Sequence, residues 1–135
     1  AAEIWRGQKF NPDVRTWVCP PTRMDQDKLK EEALFSIYSS IGARLEIPGC
    51  SLCMGNQARV PDGVNMFSTS TRNFEDRIGN GAQVYLGSAE LGAVISTMSK
   101  IPTPEEYMAV IKERVLPKAD DIYQYLQFDE IEGYK

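Results

Sequence analysis

The sequence predicts an α/β fold, a parallel-type sheet with flanking helices. Three features point there: a strand–helix–strand run over residues 15–47, a second pair of short strands over 64–70 and 83–86, and well-signalled helices after them. Short links between strand, helix and strand make a βαβ unit, which favours parallel pairing.

In chain order, Arg15-Thr16-Trp17-Val18-Cys19 is a short apolar run closed by Pro20-Pro21, which suits a buried strand. Leu29, Ala33, Ile37 and Ile41 then recur every four residues, with Leu34 beside them and Lys28, Lys30, Glu31 and Ser36 between. That spacing predicts one amphipathic helix ending near Gly42. Arg44-Leu45-Glu46-Ile47 reads as the second strand, and Val64 to Ser70 and Gln83 to Leu86 as two more. Ser88 is placed to cap a helix running to about Ser99, with Leu91, Val94, Ile95 and Met98 on one face. Thr103-Pro104-Glu105-Glu106 starts another: Thr103 caps, Pro104 suits the first helical position and Glu106 completes a capping box. A last helix is expected over Ala119 to Leu126, with a frayed tail after Phe128.

At 135 residues the chain is about one domain long, and 42% apolar with 25% charged residues describes a globular protein. Fifteen basic against nineteen acidic residues leave a net charge of −4, which argues against a dedicated nucleic-acid or anionic-membrane module. No apolar run approaches the length that crosses a bilayer. The opening Ala1-Ala2-Glu3-Ile4-Trp5-Arg6 has neither a start methionine nor a signal-like apolar segment, and reads as one part of a longer polypeptide. Three cysteines are too few and too oddly numbered for a disulfide framework, so a reducing compartment is the simpler reading. The chain has no histidine, which excludes Ser-His-Asp chemistry, Cys-His pairs and His-ligated metal within it.

Three segments could carry chemistry. In Pro48-Gly49-Cys50-Ser51-Leu52-Cys53-Met54-Gly55, two thiols three residues apart leave a strand in a loop. They can face one metal or cluster, form a redox pair, or be incidental buried cysteines. Zinc fits poorly, since a structural site takes four ligands and there is no second such pair and no histidine. In Ser68-Thr69-Ser70-Thr71-Arg72-Asn73-Phe74-Glu75-Asp76-Arg77, a hydroxyl-rich strand end delivers two arginines five residues apart. Two guanidinium groups suit a polycarboxylate, each forking onto a carboxylate. The plain alternative is that Arg72 and Arg77 pair with Glu75, Asp76 or solvent. Ile78-Gly79-Asn80-Gly81-Ala82 lacks the third glycine and the following helix of a dinucleotide site, and reads as a turn. Cys19, within an apolar strand, is expected to be inert packing.

Read together, Glu46 to Ala58 and Ser70 to Arg77 resemble the aconitase superfamily, which also contains isopropylmalate isomerase and homoaconitase. Trp17 to Met24, Gly87 to Leu91 and Pro102 to Tyr107 narrow the resemblance to the type B bacterial aconitases. It covers nearly the whole chain, yet only a small C-terminal portion of the full enzyme. Residues 1–135 are thus expected to be the C-terminal piece of the aconitase iron–sulfur domain.

The resemblance implies a hydro-lyase of the tricarboxylic acid cycle, cytoplasmic, interconverting citrate and isocitrate through cis-aconitate. In the family three cysteines hold a 4Fe–4S cluster whose fourth iron, lacking a protein ligand, acts as Lewis acid on the substrate hydroxyl. By motif match Cys50 and Cys53 are two of those ligands, and Arg72 and Arg77 bind substrate carboxylates. The third cysteine lies in an upstream motif outside this chain, and Cys19 does not match it. The catalytic serine, the histidine-containing loops and the swivelling domain are absent too, so this stretch alone is expected to be inactive without the remaining domains. Asn56 and Asn73 are candidates for hydrogen bonds that tune the cluster. Mitochondrial-type aconitases usually carry Gly-Pro between the two cysteines and asparagine before the first arginine; here Ser51-Leu52 and Thr71 stand there. Alternative readings are 2-methylisocitrate dehydration and messenger-RNA binding by the cluster-free protein, the latter without support from the acidic net charge.

Overall fold

The computed structural model describes residues 1–123. It contains two parallel strand pairs rather than one continuous sheet. β1 (Trp17–Val18) pairs with β2 (Arg44–Leu45), Trp17 opposite Arg44 and Val18 opposite Leu45. β3 (Asn65–Ser68) pairs with β4 (Gln83–Leu86), Asn65 opposite Gln83 and Ser68 opposite Leu86. All four expected strands form, and both pairs are parallel as expected. The strands predicted over 15–19, 44–47 and 64–70 are shorter; Pro20 and Pro48 bound the first pair, since neither ring nitrogen can donate to a ladder.

The single helix predicted through Leu29 and Ile41 is two. α2 (Arg23–Glu31) begins at a capping box: Asp25 N donates to Thr22 Oγ1 at 3.2 Å, and Thr22 N to Asp25 Oδ2 at 3.0 Å. It ends at Glu32, and Ala33 adopts a left-handed φ of 57° before α3 (Leu34–Ile41). A left-handed non-glycine residue costs about 1–2 kcal/mol. Burial on α3 offsets that cost: α2 buries no residue, whereas α3 puts Tyr38 and Ile41 into the core.

That core forms around a helix the sequence did not announce, α1 (Ala2–Trp5). Trp5 stacks edge-on against Phe10 and Tyr38, each with ring centroids 5.3 Å away. Its Nε1 donates to Ser96 Oγ at 2.9 Å and Ala93 O at 3.3 Å on α4 (Ala89–Met98). Ser88 caps α4 as expected, accepting from Leu91 N at 3.2 Å. Val94 on this helix is completely buried, and Val115 closes the core from the C-terminal side.

α5 (Pro104–Val110) starts at the predicted Thr103–Glu106 capping box. It widens into a π-helical stretch (Ile111–Val115), tightens into a 3₁₀ turn (Leu116–Lys118) and ends as α6 (Ala119–Ile122). Pro117 lacks the N–H that a regular helix needs there. The predicted last helix thus starts at Ala119; its end at Leu126 and the tail after Phe128 lie outside the described residues. Among the described residues no helix is long and apolar enough to cross a membrane.

Candidate functional site

The loop leaving β2 is pinned at its start to the strand beside it. Glu46 N donates to Val18 O at 2.9 Å and Gly49 N to Pro20 O at 3.0 Å. The single S–H of Cys19 is shared between Ile47 O at 3.2 Å and Gly49 O at 3.4 Å, so this half-buried residue contacts the loop rather than merely filling the strand. Burial pushes the Cys19 thiol up, and the Glu46 carboxylate adds to that. The loop then winds through tight turns: Met54 N to Cys50 O at 3.0 Å, Gly55 N to Leu52 O at 3.0 Å and Asn56 N to Ser51 O at 2.9 Å. Such winding brings residues three apart to one side, and so aligns Cys50 with Cys53.

Gly55 joins this loop to the second motif. Its φ is 75°, and a Cβ there would collide with Arg77 O, so only glycine lets the two backbones meet. The Ser68–Arg72 stretch folds back on its hydroxyls: Ser70 N donates to Ser68 Oγ, and Arg72 N to Ser70 Oγ, each at 3.1 Å. Ser70 Oγ also lies 2.7 Å from Cys53 Sγ. From this turn the exposed Arg72 side chain reaches across both thiols, Nη1 standing 3.4 Å from Cys50 Sγ and 3.5 Å from Cys53 Sγ.

Arg77 behaves differently. It is only 2% exposed, and its Nη1 donates to Cys53 O at 2.5 Å. Its Nε and Nη2 are buried without an acceptor among the described residues. Neither Arg72 nor Arg77 forms an ion pair with an acid among those residues, so the Glu75 and Asp76 pairing is not seen. Asp76 instead accepts from Gly81 N at 2.6 Å, closing the Gly79–Gly81 turn.

The electrostatics follow the geometry. The Ser70 hydroxyl beside Cys53, with Arg72 and Cys50 adding to it, holds that thiol below its usual range against the opposing effect of burial. The sulfurs in turn push Arg72 further up, the contact with Cys53 first. Two convergent sulfurs, one eased toward thiolate, suit a soft metal centre, and Cys50 and Cys53 are free. Among the described residues no three His, Cys, Asp or Glu side chains gather to hold a metal ion, so Cys19 does not complete a set.

The aconitase family (aconitate hydratase) matches residues 1–98 of the chain. The chain belongs to the aconitase family. Aconitate hydratase B of Synechocystis sp. is 60% identical over 121 residues, 90% of this chain and 14% of the relative. Aconitate hydratase B of Escherichia coli is 52% identical over 134 residues, 99% of this chain and 15% of the relative. The large subunit of 3-isopropylmalate dehydratase from Streptococcus thermophilus is 42% identical over 94 residues, 69% of this chain and 20% of the relative. The chain thus spans about one-seventh of the length of the aconitate hydratases it matches.

Within this aconitase-family chain the four residues singled out by motif, Cys50, Cys53, Arg72 and Arg77, come together in one place. Asn73 Nδ2 donates to Val84 O at 3.4 Å, and Asn56 is held through its backbone N–H. The hydroxyl at the sulfur belongs to Ser70, which sequence reasoning left undistinguished. Its only advance signal was the Ser-x-Ser-x-Arg spacing after a strand, a pattern that a turn uses equally well.

Proposed function

We propose that this chain is the C-terminal portion of the cluster-bearing domain of a longer aconitate hydratase. That enzyme is a cytoplasmic hydro-lyase of the tricarboxylic acid cycle, converting citrate to isocitrate through cis-aconitate. In this reading Cys50 and Cys53 are two of three cysteine ligands to a 4Fe–4S cluster, with the third outside this chain. The donor set fits such partial ligation, since two free sulfurs converge under one guanidinium and no third ligand stands with them among the described residues. When bound, the cluster supplies a Lewis-acidic iron for the substrate hydroxyl.

The observation that carries the proposal is Arg77. A buried guanidinium with two unpartnered nitrogens, next to the Cys53 backbone, is an electrostatic cost without a matching acceptor. A substrate carboxylate is the group that matches its fork. Arg72 offers the complementary service from the solvent side. Its charge faces both thiols and offsets the negative charge of sulfur ligands and tricarboxylate together, without any change of protonation. The two arginines therefore bind and orient, one from a buried position and one from the solvent side. In this reading proton transfer falls to the remaining domains, which carry the catalytic serine that the family resemblance implies, and the chain by itself does not turn over substrate.

The test uses the full-length enzyme reconstituted anaerobically with iron and sulfide. Formation of cis-aconitate from citrate should depend on iron and vanish in Cys50→Ser. Arg72→Lys should cripple turnover while leaving the cluster spectrum intact. Full activity in Cys50→Ser would remove Cys50 from the ligand set. A wild type that takes up its cluster yet ignores citrate would redirect the assay to 2-methylisocitrate and isopropylmalate.

A further inference from the structure

Glu46 is the acid next to the thiol loop, and it is buried, with 9% exposure. Its Oε2 accepts from Gln57 Nε2 at 2.6 Å, a short charge-assisted bond. Arg44 Nε stands 2.7 Å from Oε1, at ion-pair distance though off the hydrogen-bonding direction. Residue 46 enters the loop that carries Cys50 and Cys53, and residue 57 leaves it. At the entry the backbone is tied by Glu46 N to Val18 O and Gly49 N to Pro20 O. At the exit, the described backbone N–H groups of residues 57–59 make no backbone bond, and pairing resumes with Val60 N to Ile78 O at 2.8 Å.

We infer that Glu46 is a positioning residue for the two thiols, its carboxylate clasping the exit of their loop to its entry through the Gln57 amide. This rests on the reading of Cys50 and Cys53 as ligands. A carboxylate suits the task better than a neutral acceptor because its bond to an amide N–H is stronger and shorter. Its negative charge, unwelcome near thiolates, is balanced locally by Arg44, whose side chain stays solvated. The clasp closes a short loop, so the entropy otherwise lost in bringing two thiols together is spent once, on folding.

Hydrogen exchange read by mass spectrometry on the cluster-free full-length enzyme tests this. In Glu46→Ala, peptides carrying the Met54, Gly55 and Asn56 amides should exchange about tenfold to a hundredfold faster. Peptides of α4 in the core should be unchanged. Gln57→Met, which leaves Glu46 and Arg44 in place, should reproduce the effect, and the exchanged pair Glu46→Gln with Gln57→Glu should restore protection. Chelator-driven loss of the cluster should follow the same ranking. Unaltered loop exchange in Glu46→Ala and Gln57→Met overturns the clasp, as does equal acceleration in α4, which would make Glu46 a general stability residue. A wild type that binds no cluster sinks the ligand assignment instead, and the exchange data still decide the clasp.

Discussion

The region around Trp5 and the region around Arg77 are both buried, but they are finished to different degrees. Around Trp5 the one polar atom of the ring has its acceptors on α4, the rings meet edge to face, and Val94 and Val115 fill the remaining space. Around Arg77 one guanidinium nitrogen is paired and two are not, although the side chain is just as hidden from water. Native interiors leave few polar groups unpaired, and each exception calls for a reason. The first region is a core that stabilises itself; the second, in the function proposed above, is half of an interaction whose other half is a substrate carboxylate.

Substitutions separate the two. The largest effect belongs to Trp5→Ala, which removes the central ring and should lower unfolding free energy by about 3–5 kcal/mol. Chemical denaturation of the full-length enzyme, followed by fluorescence, should show this as an early transition. Arg77→Met is the sharper probe. An apolar side chain of similar length removes the unpaired buried charge, so ligand-free stability should hold or rise, by up to about 1–4 kcal/mol. The same variant should lose about 100- to 1,000-fold in kcat/KM for citrate, the loss expected when one partner of a buried charged contact is deleted. A variant that unfolds as readily as Trp5→Ala would place Arg77 with the core and erase the comparison.

Legibility in the sequence followed the range of the interaction. The Thr103 box and the Ser88 cap are read within four residues and are where the pattern put them. The break at Ala33 is invisible locally, because alanine is the best of helix formers; only the burial of Tyr38 and Ile41 explains it. Likewise four short strands do not announce whether they share a sheet, and here they form two pairs. At the site, residue types and spacing singled out Cys50, Cys53, Arg72 and Arg77. What they could not convey is that Arg72 lies exposed beside both sulfurs while Arg77 is buried against the Cys53 carbonyl. Ser70 and Glu46 stayed hidden because a hydroxyl or an acid near a strand end is common, and its partner is remote in sequence.

A substitution at the seam between thiol loop and arginine tests whether the site is a unit. Gly55 touches the Arg77 backbone and has a φ of 75°. Gly55→Ala should therefore cost about 1–3 kcal/mol through strain and displacement, less than Trp5→Ala. It should also slow cluster uptake, measured by iron-dependent absorbance, because Cys53 can no longer rest on Arg77. Normal uptake would mean that the loop finds its geometry without that contact.

The smallest effect concerns how the core is fastened at its edge. Glu3 on α1 accepts from Arg6 at 2.7 Å and meets Lys118 at 3.0 Å, joining α1 to the 3₁₀ turn. The Arg6 contact first, then Lys118, lowers the Glu3 carboxyl from 4.5 to about 2. Because the folded value lies below the unfolded one, this stabilisation is present above pH 4.5 and is lost as pH falls through about 2. Solvent screening of a partly exposed pair keeps it to about 1 kcal/mol or less. Glu3→Gln should flatten the acid limb of the stability–pH curve by that amount, the difference from wild type closing only below about pH 2. It should not alter kcat/KM for citrate at neutral pH, since Glu3 fastens the Trp5 region and touches nothing at Arg77. An acid limb identical to wild type would show that the triad of charges is too well solvated to matter.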